Sequence, residues 1–145
     1  MESAQSIADL YAEHTQGGEP ADEHVAQLLA LLEPGETVLF TCGWTEMSEK
    51  WGPPAQLTVT TRRIVDQRWA GVDGDELPPP REIALRDVRA VLDRPRGDGV
   101  LFGTHALVVA LADGRTLGWE HLTNHQIEPA AEAIAAALEE LPQRT

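Results

Sequence analysis

The sequence predicts a mainly β domain: a small barrel or sandwich of short strands, plugged at one end by a single helix. Three observations carry this. Seven short apolar runs lie between Thr37 and His121, separated by turn chemistry at Gly52-Pro53-Pro54, from Asp73-Gly74 to Pro80, at Arg96-Gly97-Asp98-Gly99 and at Asp113-Gly114. Short strands at near-regular spacing, punctuated in this way, are the pattern of a closed or stacked antiparallel sheet. An alanine-rich amphipathic segment, Glu128–Leu141, follows the last run, where it can cover the open end of the barrel. The 145 residues suit one domain with a single core.

The elements follow in order. Ser6–His14 reads as a weak helix with Ile7, Leu10 and Tyr11 on one side, and Gly17-Gly18 breaks it. So short a terminal helix is marginal unless something holds it. Pro20–Leu32 reads as a second helix, because Val25, Leu28, Leu29 and Leu32 recur at spacings of three and four, and Pro34-Gly35 ends it. In the first strand, Thr37–Trp44, alternation places Val38, Phe40, Cys42 and Trp44 on one face, with Leu39, Thr41 and Gly43 on the other. Ala55–Thr60 turns Leu57 and Val59 inward, and Thr60-Thr61 leads into Arg63–Trp69. Ile83 and Leu85 mark a fourth strand, Arg89–Asp93 a fifth after a bend at Arg86-Asp87-Val88, and Thr104–Ala112 with Arg115–His121 a terminal hairpin.

The hairpin has two candidate registers. A two-residue Asp-Gly turn sets Leu107, Val109 and Leu111 on the face of Thr116, Gly118 and Glu120. A three-residue loop, with Gly114 in the left-handed region, joins them to Leu117 and Trp119 instead. The second register builds one apolar face that a slip of one residue would disperse, so it is the one expected. It buries Leu107, Val109, Leu117 and Trp119 against Ile134 and Leu138 of the last helix, and sets His105 across from His121.

Charge narrows the function classes. The net charge of −13 is uneven: −8 over residues 1–36, −1 over 37–119 and −4 over 120–145. A chain this acidic repels phosphate backbones, which argues against nucleic-acid binding. The lone Cys42 has no internal disulfide partner, and with no apolar run of ~18 residues the chain reads as cytoplasmic.

Several stretches together carry a family resemblance. Leu32-Glu33-Pro34-Gly35-Glu36-Thr37-Val38-Leu39 leads into the first strand, and Leu57-Thr58-Val59-Thr60-Thr61-Arg62-Arg63-Ile64-Val65 makes a strand, turn and strand. Ile83-Ala84-Leu85-Arg86-Asp87-Val88-Arg89-Ala90-Val91 precedes the Asp113-Gly114 hairpin and the final helix. Over about residues 30–141 the chain resembles the bacterial pleckstrin-homology-like (PH-like) family, related in fold to GRAM domains. The resemblance implies a seven-stranded, strongly bent barrel of two near-orthogonal antiparallel sheets, capped by the C-terminal helix. Residues 34–145 would form that domain, and residues 1–33 an added extension of two helices.

Domains of this kind bind phosphoinositides, peptides or other proteins, and some assemble as homo-oligomers. The lipid-binding ones cluster Lys and Arg on the first strand pair and its loop. Here the loop Thr45-Glu46-Met47-Ser48-Glu49-Lys50-Trp51-Gly52 holds one base and two acids, so it offers no charge-assisted phosphate clamp.

Candidate residues follow. Met47, Lys50 and Trp51, with Arg62 and Arg63 at the next strand turn, combine an aromatic, a thioether and local positive charge, the ingredients of a protein-contact patch. The competing assignment seals the barrel rim with Trp51 and pairs the arginines with nearby acids. His105 and His121, with His125 or Glu120, match no metal spacing and read as hydrogen-bonded rim histidines. Cys42 reads as a small core residue, Arg96-Gly97-Asp98 as a glycine turn, and Asp73, Asp75 and Glu76 as part of a solvated loop lacking the alternating carboxylates of a calcium site. No nucleophile–base pair stands out, and no cofactor is implied. The expectation is a non-catalytic interaction module that binds a protein partner or its own copies, the alternative being a peripheral lipid-binding module.

Overall fold

The computed structural model describes residues 2–45, 54–68, 77–95, 105–119 and 122–141. The elements are α1 (Ala4–His14), α2 (Asp22–Leu31), β1 (Val38–Thr45), β2 (Pro54–Thr60), β3 (Arg63–Arg68) and β4 (Arg81–Ala84). A 3-10 turn (Leu85–Asp87) then leads to β5 (Val88–Pro95), β6 (His105–Leu111), β7 (Thr116–Trp119) and α3 (Asn124–Glu140). The strands make two antiparallel sheets, ordered β1-β2-β3-β4 and β5-β6-β7. Among the described residues no ladder joins them, so the expected barrel takes the form of two sheets facing across one core. The 3-10 turn carries the chain from one sheet to the other. It contains Leu85, expected in the fourth strand, which is still fully buried.

The core lies between the inner sheet faces and α3. Phe40, Cys42, Leu57, Val59 and Ile64 of the first sheet meet Leu107, Val109 and Trp119 of the second, with Ile127, Ala130, Ile134 and Ala137 of α3. Those four helix positions recur at three- and four-residue intervals, which keeps them on one side of a 3.6-residue turn. Leu117 and Leu138 pack at its edge. The hairpin adopts the three-residue register: Leu107 pairs with Trp119 and Val109 with Leu117. Gly114 sits at φ 92°, a conformation open to glycine, while the Leu111 amide donates to the Arg115 carbonyl at 2.8 Å. α3 begins four residues before the predicted Glu128, because Thr123 and Gln126 form a capping box that satisfies two amides of the first turn.

β1 departs from simple alternation. Its register with β2 shifts between Val38 and Phe40. The irregularity turns Val38 to the outer side, where it packs with Ile7, Val25, Leu28 and Val65, and lets Leu39 touch the main core. A bulge has this effect because one extra residue reverses which face the following side chains take.

α1 and α2 cover the outer face of the first sheet. Ile7 is fully buried and Tyr11 nearly so. α1 therefore does not stand free, and Gly43 of β1 is the reason it can approach. A Cβ at Gly43 would lie 2.5 Å from Tyr11 Cζ and 2.8 Å from its Cε2, positions no side chain can share with the ring. Beneath the helices the sheet face is mostly polar: Thr41, Gln56, Thr58 and Gln67 are all buried. Thr41 and Thr58 share a hydrogen bond of 2.9 Å, and the Gln56 amide donates to Thr41 at 2.9 Å. Gln67 donates to the His24 carbonyl at 2.8 Å and to Gln27 Oε1 at 2.9 Å, tying β3 to α2.

Candidate functional site

The strand-turn arginines are built on Thr60, the last residue of β2. Its hydroxyl oxygen accepts from the amides of Arg62 and Arg63, both at 3.0 Å, and its proton goes to Glu36 Oε2 at 2.5 Å. Glu36 follows the Pro34-Gly35 break, and its side chain is wholly buried. Arg63 donates to both Glu36 oxygens, at 2.9 Å from Nε and 2.8 Å from a terminal nitrogen, and further reaches Glu33 at 3.0 Å and Glu82 at 2.8 Å. Arg62 pairs with Glu33 at 2.6 Å and donates to the Pro34 carbonyl at 3.2 Å. Burial alone would raise the Glu36 pKa, but the Thr60 hydroxyl, the Glu33 amide and Arg63 outweigh it and hold the carboxyl below its ordinary value.

These two guanidinium groups therefore join the segment after α2 to the β2–β3 turn and to β4. Thr45 pairs with Pro54 at the start of β2, and Arg62 and Arg63 follow its other end. A seven-residue strand places the two ends ~20 Å apart. Met47, Lys50 and Trp51 lie outside the described residues. So do Asp73, Asp75, Glu76, Arg96-Gly97-Asp98, Glu120 and His121, and with them the opposed-histidine arrangement. His125 is exposed in the first turn of α3.

The structure shows a second surface that sequence reasoning missed. β4 pairs only with β3, and β7 only with β6, among the described residues. Between these two sheet edges lies a cleft of about 310 Å³. Ile83, Ala84, Leu111 and Leu117 give it an apolar part, and Arg81, Glu82, Asp87, Asp113 and Arg115 supply charge of both signs. Three of these charges have partners already, Glu82 with Arg63, and Asp113 with Arg115. The cleft arises from edges far apart in sequence, so no local motif announces it.

Two buried polar groups are structural. Asp66 accepts from the Trp119 indole at 3.1 Å and from Arg68 at 3.0 and 3.1 Å, linking the two sheets through the core edge. Cys42 is fully buried, and burial pushes its thiol up to about 12, so it stays protonated and unreactive at neutral pH. Among the described residues no helix is long and apolar enough to cross a membrane.

Comparison with known proteins places the fold. A DUF1696 family protein with a pleckstrin-homology domain from Shewanella loihica superimposes with a TM-score of 0.58 at 12% identity, over 82% of this chain and 93% of that one. A pleckstrin homology domain from Shewanella amazonensis gives 0.56 at 14% identity, over 83% and 91%. No protein-family description and no curated protein matches the sequence. The four- and three-stranded sheets, with their C-terminal helix, are thus a PH-like fold, bearing two helices on the outer face of the first sheet.

Proposed function

We propose that this PH-like domain is a non-catalytic interaction module that contacts protein, either a partner or its own copies, in preference to anionic lipid. The observation that carries the reading is the fate of Arg62 and Arg63. Both side chains are held by Glu33, Glu36 and Glu82, so their charge is neutralised within the molecule. A phosphorylated headgroup would have to compete with these intramolecular carboxylates, and would meet a chain of net charge −13. The non-catalytic part of the reading is supported by Cys42, whose thiol is buried and held protonated. On the contact side, Met47, Lys50 and Trp51 remain the proposed anchor, with Arg62 and Arg63 assigned a bracing role at the far end of β2. Flotation with vesicles rich in phosphatidylserine or phosphoinositide, alongside calorimetry with an inositol polyphosphate, tests this. The expected result is no binding at physiological salt, whereas low-micromolar binding would overturn it.

A further inference from the structure

Three properties of the cleft between β4 and β7 together describe a ligand. The first is a set of main-chain groups left open. The Leu85 amide donates to the Arg62 carbonyl at 2.9 Å, just beyond the Arg63–Ala84 pair. In an antiparallel ladder that bond turns the main-chain groups of Arg81 and Ile83 toward β3, and those of Glu82 and Ala84 away from it, into the cleft. The Ala84 carbonyl is taken up by the 3-10 turn that follows, which leaves the Ala84 amide and both groups of Glu82. By the same rule the Leu111–Arg115 bond leaves Thr116 and Gly118 of β7 facing the gap from the other side. Among the described residues these open groups have no hydrogen-bond partner.

The second property is an apolar floor. Ile83 and Leu111 are buried and Leu117 is half-buried, and all three line the cleft. The third is unspent charge at both ends of β4 and its turn. Arg81 and Asp87 are exposed, and neither side chain has an ion-pair partner among the described residues, whereas Glu82, Asp113 and Arg115 are already paired. The walls are also fixed. The Ala112 amide donates to the Asp87 carbonyl at 2.8 Å, and the Trp119 indole to Asp66, the pairing partner of Arg81, at 3.1 Å. The cleft of about 310 Å³ is therefore formed before any ligand arrives.

We propose that this cleft binds an extended peptide segment by strand addition to β4, in the pattern base–x–aliphatic–x–acid read from the N-terminus. The proposal rests on the reading of the domain as a protein-contacting module, and names a surface and the chemistry of what it takes. Open main-chain groups at a two-residue repeat select polypeptide, because an extended chain presents donors and acceptors at that spacing. Running antiparallel to β4, the segment sets one residue opposite Glu82, where two ladder bonds form, and its next carbonyl but one accepts from the Ala84 amide. The residue opposite Ile83 turns its side chain to the same face, against Ile83, Leu111 and Leu117, so an aliphatic group belongs there. The residue opposite Arg81 carries the acid. The base lies N-terminal, past the end of β4, where it meets Asp87. Three ladder bonds and one buried side chain make a weak contact, with a dissociation constant between ~10 µM and ~1 mM.

Titrating the full chain with acetyl-Arg-Thr-Val-Thr-Glu-amide, followed by amide shifts in NMR spectra, tests the proposal. Shifts should centre on Arg81–Ala84 and Thr116–Gly118 and saturate within that range. Methylating the main-chain nitrogen of the second threonine removes the donor to the Glu82 carbonyl, and should weaken binding by about tenfold. Arg81→Glu should weaken it by about as much, and a peptide ending in lysine instead of glutamate should restore the affinity of that variant. Melting temperature checks that the variant folds; if it does not, the methylated peptide decides alone. Absence of shifts at ~1 mM peptide, equal binding of the methylated peptide, or a folded Arg81→Glu that ranks the two peptides as the wild type does overturns the proposal. So do shifts at β4 and β7 that grow with the concentration of the protein alone, the mark of a second copy in the cleft. Each of these results leaves the broader reading standing, whereas vesicle binding would overturn the broader reading.

Discussion

Replacing Gly43 with alanine adds one methyl group and should loosen the whole N-terminal helix. The new Cβ would fall within bonding distance of Tyr11 Oη and inside contact distance of two ring carbons, at 2.5 and 2.8 Å. The ring is rigid and only 8% exposed, so it has no free volume to turn into. Either Tyr11 leaves its site or α1 shifts away from β1. Overpacking of this kind costs about 1–3 kcal/mol. The ceiling is set by undocking, which forfeits the burial of Ile7 and Tyr11 at ~1.5–3 kcal/mol each. Urea melts give the stability change, and hydrogen exchange across residues 4–14 shows where it falls. The same substitution in a Tyr11→Ala background should be close to neutral, because the obstructing ring is gone and alanine lowers the entropy of the unfolded chain. The cycle should thus show a coupling of about 1–3 kcal/mol. A Gly43→Ala cost below ~0.5 kcal/mol, or the same cost in both backgrounds, would refute the close approach as the basis of docking.

Other expectations concern the core, acid stability and the proposed anchor. Leu107→Ala should cost about 2–5 kcal/mol in urea melts, since Leu107 is fully buried opposite Trp119; a loss under ~0.5 kcal/mol would contradict the hairpin register. Burial lowers the His24 pKa against a smaller opposing effect of Glu23, so the folded state favours the neutral ring. Its contribution is present above the unfolded value of about 6.5 and is lost as pH falls below it. Glu36, held below the ordinary carboxylate range, contributes above about 4.3 and loses this as pH drops through its lowered value. The urea midpoint should therefore decline in two stages on acidification, and His24→Met should abolish the first alone. Trp51→Ala should keep the melting temperature while losing protein capture; a large fall in melting temperature would assign Trp51 to the core.

What could be read from the sequence follows how local the determining interaction is. The β6–β7 register was legible because Asp113-Gly114 and the apolar alternation around it lie within one hairpin. The start of α3 was equally available, in Thr123-Asn124-His125-Gln126, but the alanine run drew the boundary to Glu128. Gly43, a glycine inside an apolar strand, carried the signal that another element passes close by. Val38 and Leu39 could not be assigned correctly by alternation, because the bulge that displaces them depends on pairing with β2. The partners of Arg63 illustrate the same limit: Glu33, Glu36 and Glu82 lie 19 to 30 residues away in the chain. The cleft between β4 and β7 needs both sheets in place before it exists.

The two outward sheet faces also explain why composition alone misleads about which surface is free. Thr41, Gln56, Thr58 and Gln67 alternate with core residues just as a solvated strand face does, yet they are buried. What separates them from a solvated face is the absence of charge: threonine and glutamine can satisfy one another and the overlying helix through short hydrogen bonds, whereas a buried lysine or glutamate would need a dedicated partner. The outward positions Ala90, Leu92, Val108 and Ala110 of β5 and β6 are also uncharged, but their side chains have no hydrogen-bonding capacity to offer a covering helix or to exchange with water. For the first face, bonds made under the helices replace bonds made to solvent, but Gln56 Oε1 and Gln67 Oε1 are buried without a partner, so covering this face carries a polar cost. For the second, covering returns apolar area that hydration cannot compensate. The helices α1 and α2 therefore hold the first face through the apolar contacts of Ile7, Val25 and Leu28 with Val38 and Val65, and not through its hydrogen bonds alone.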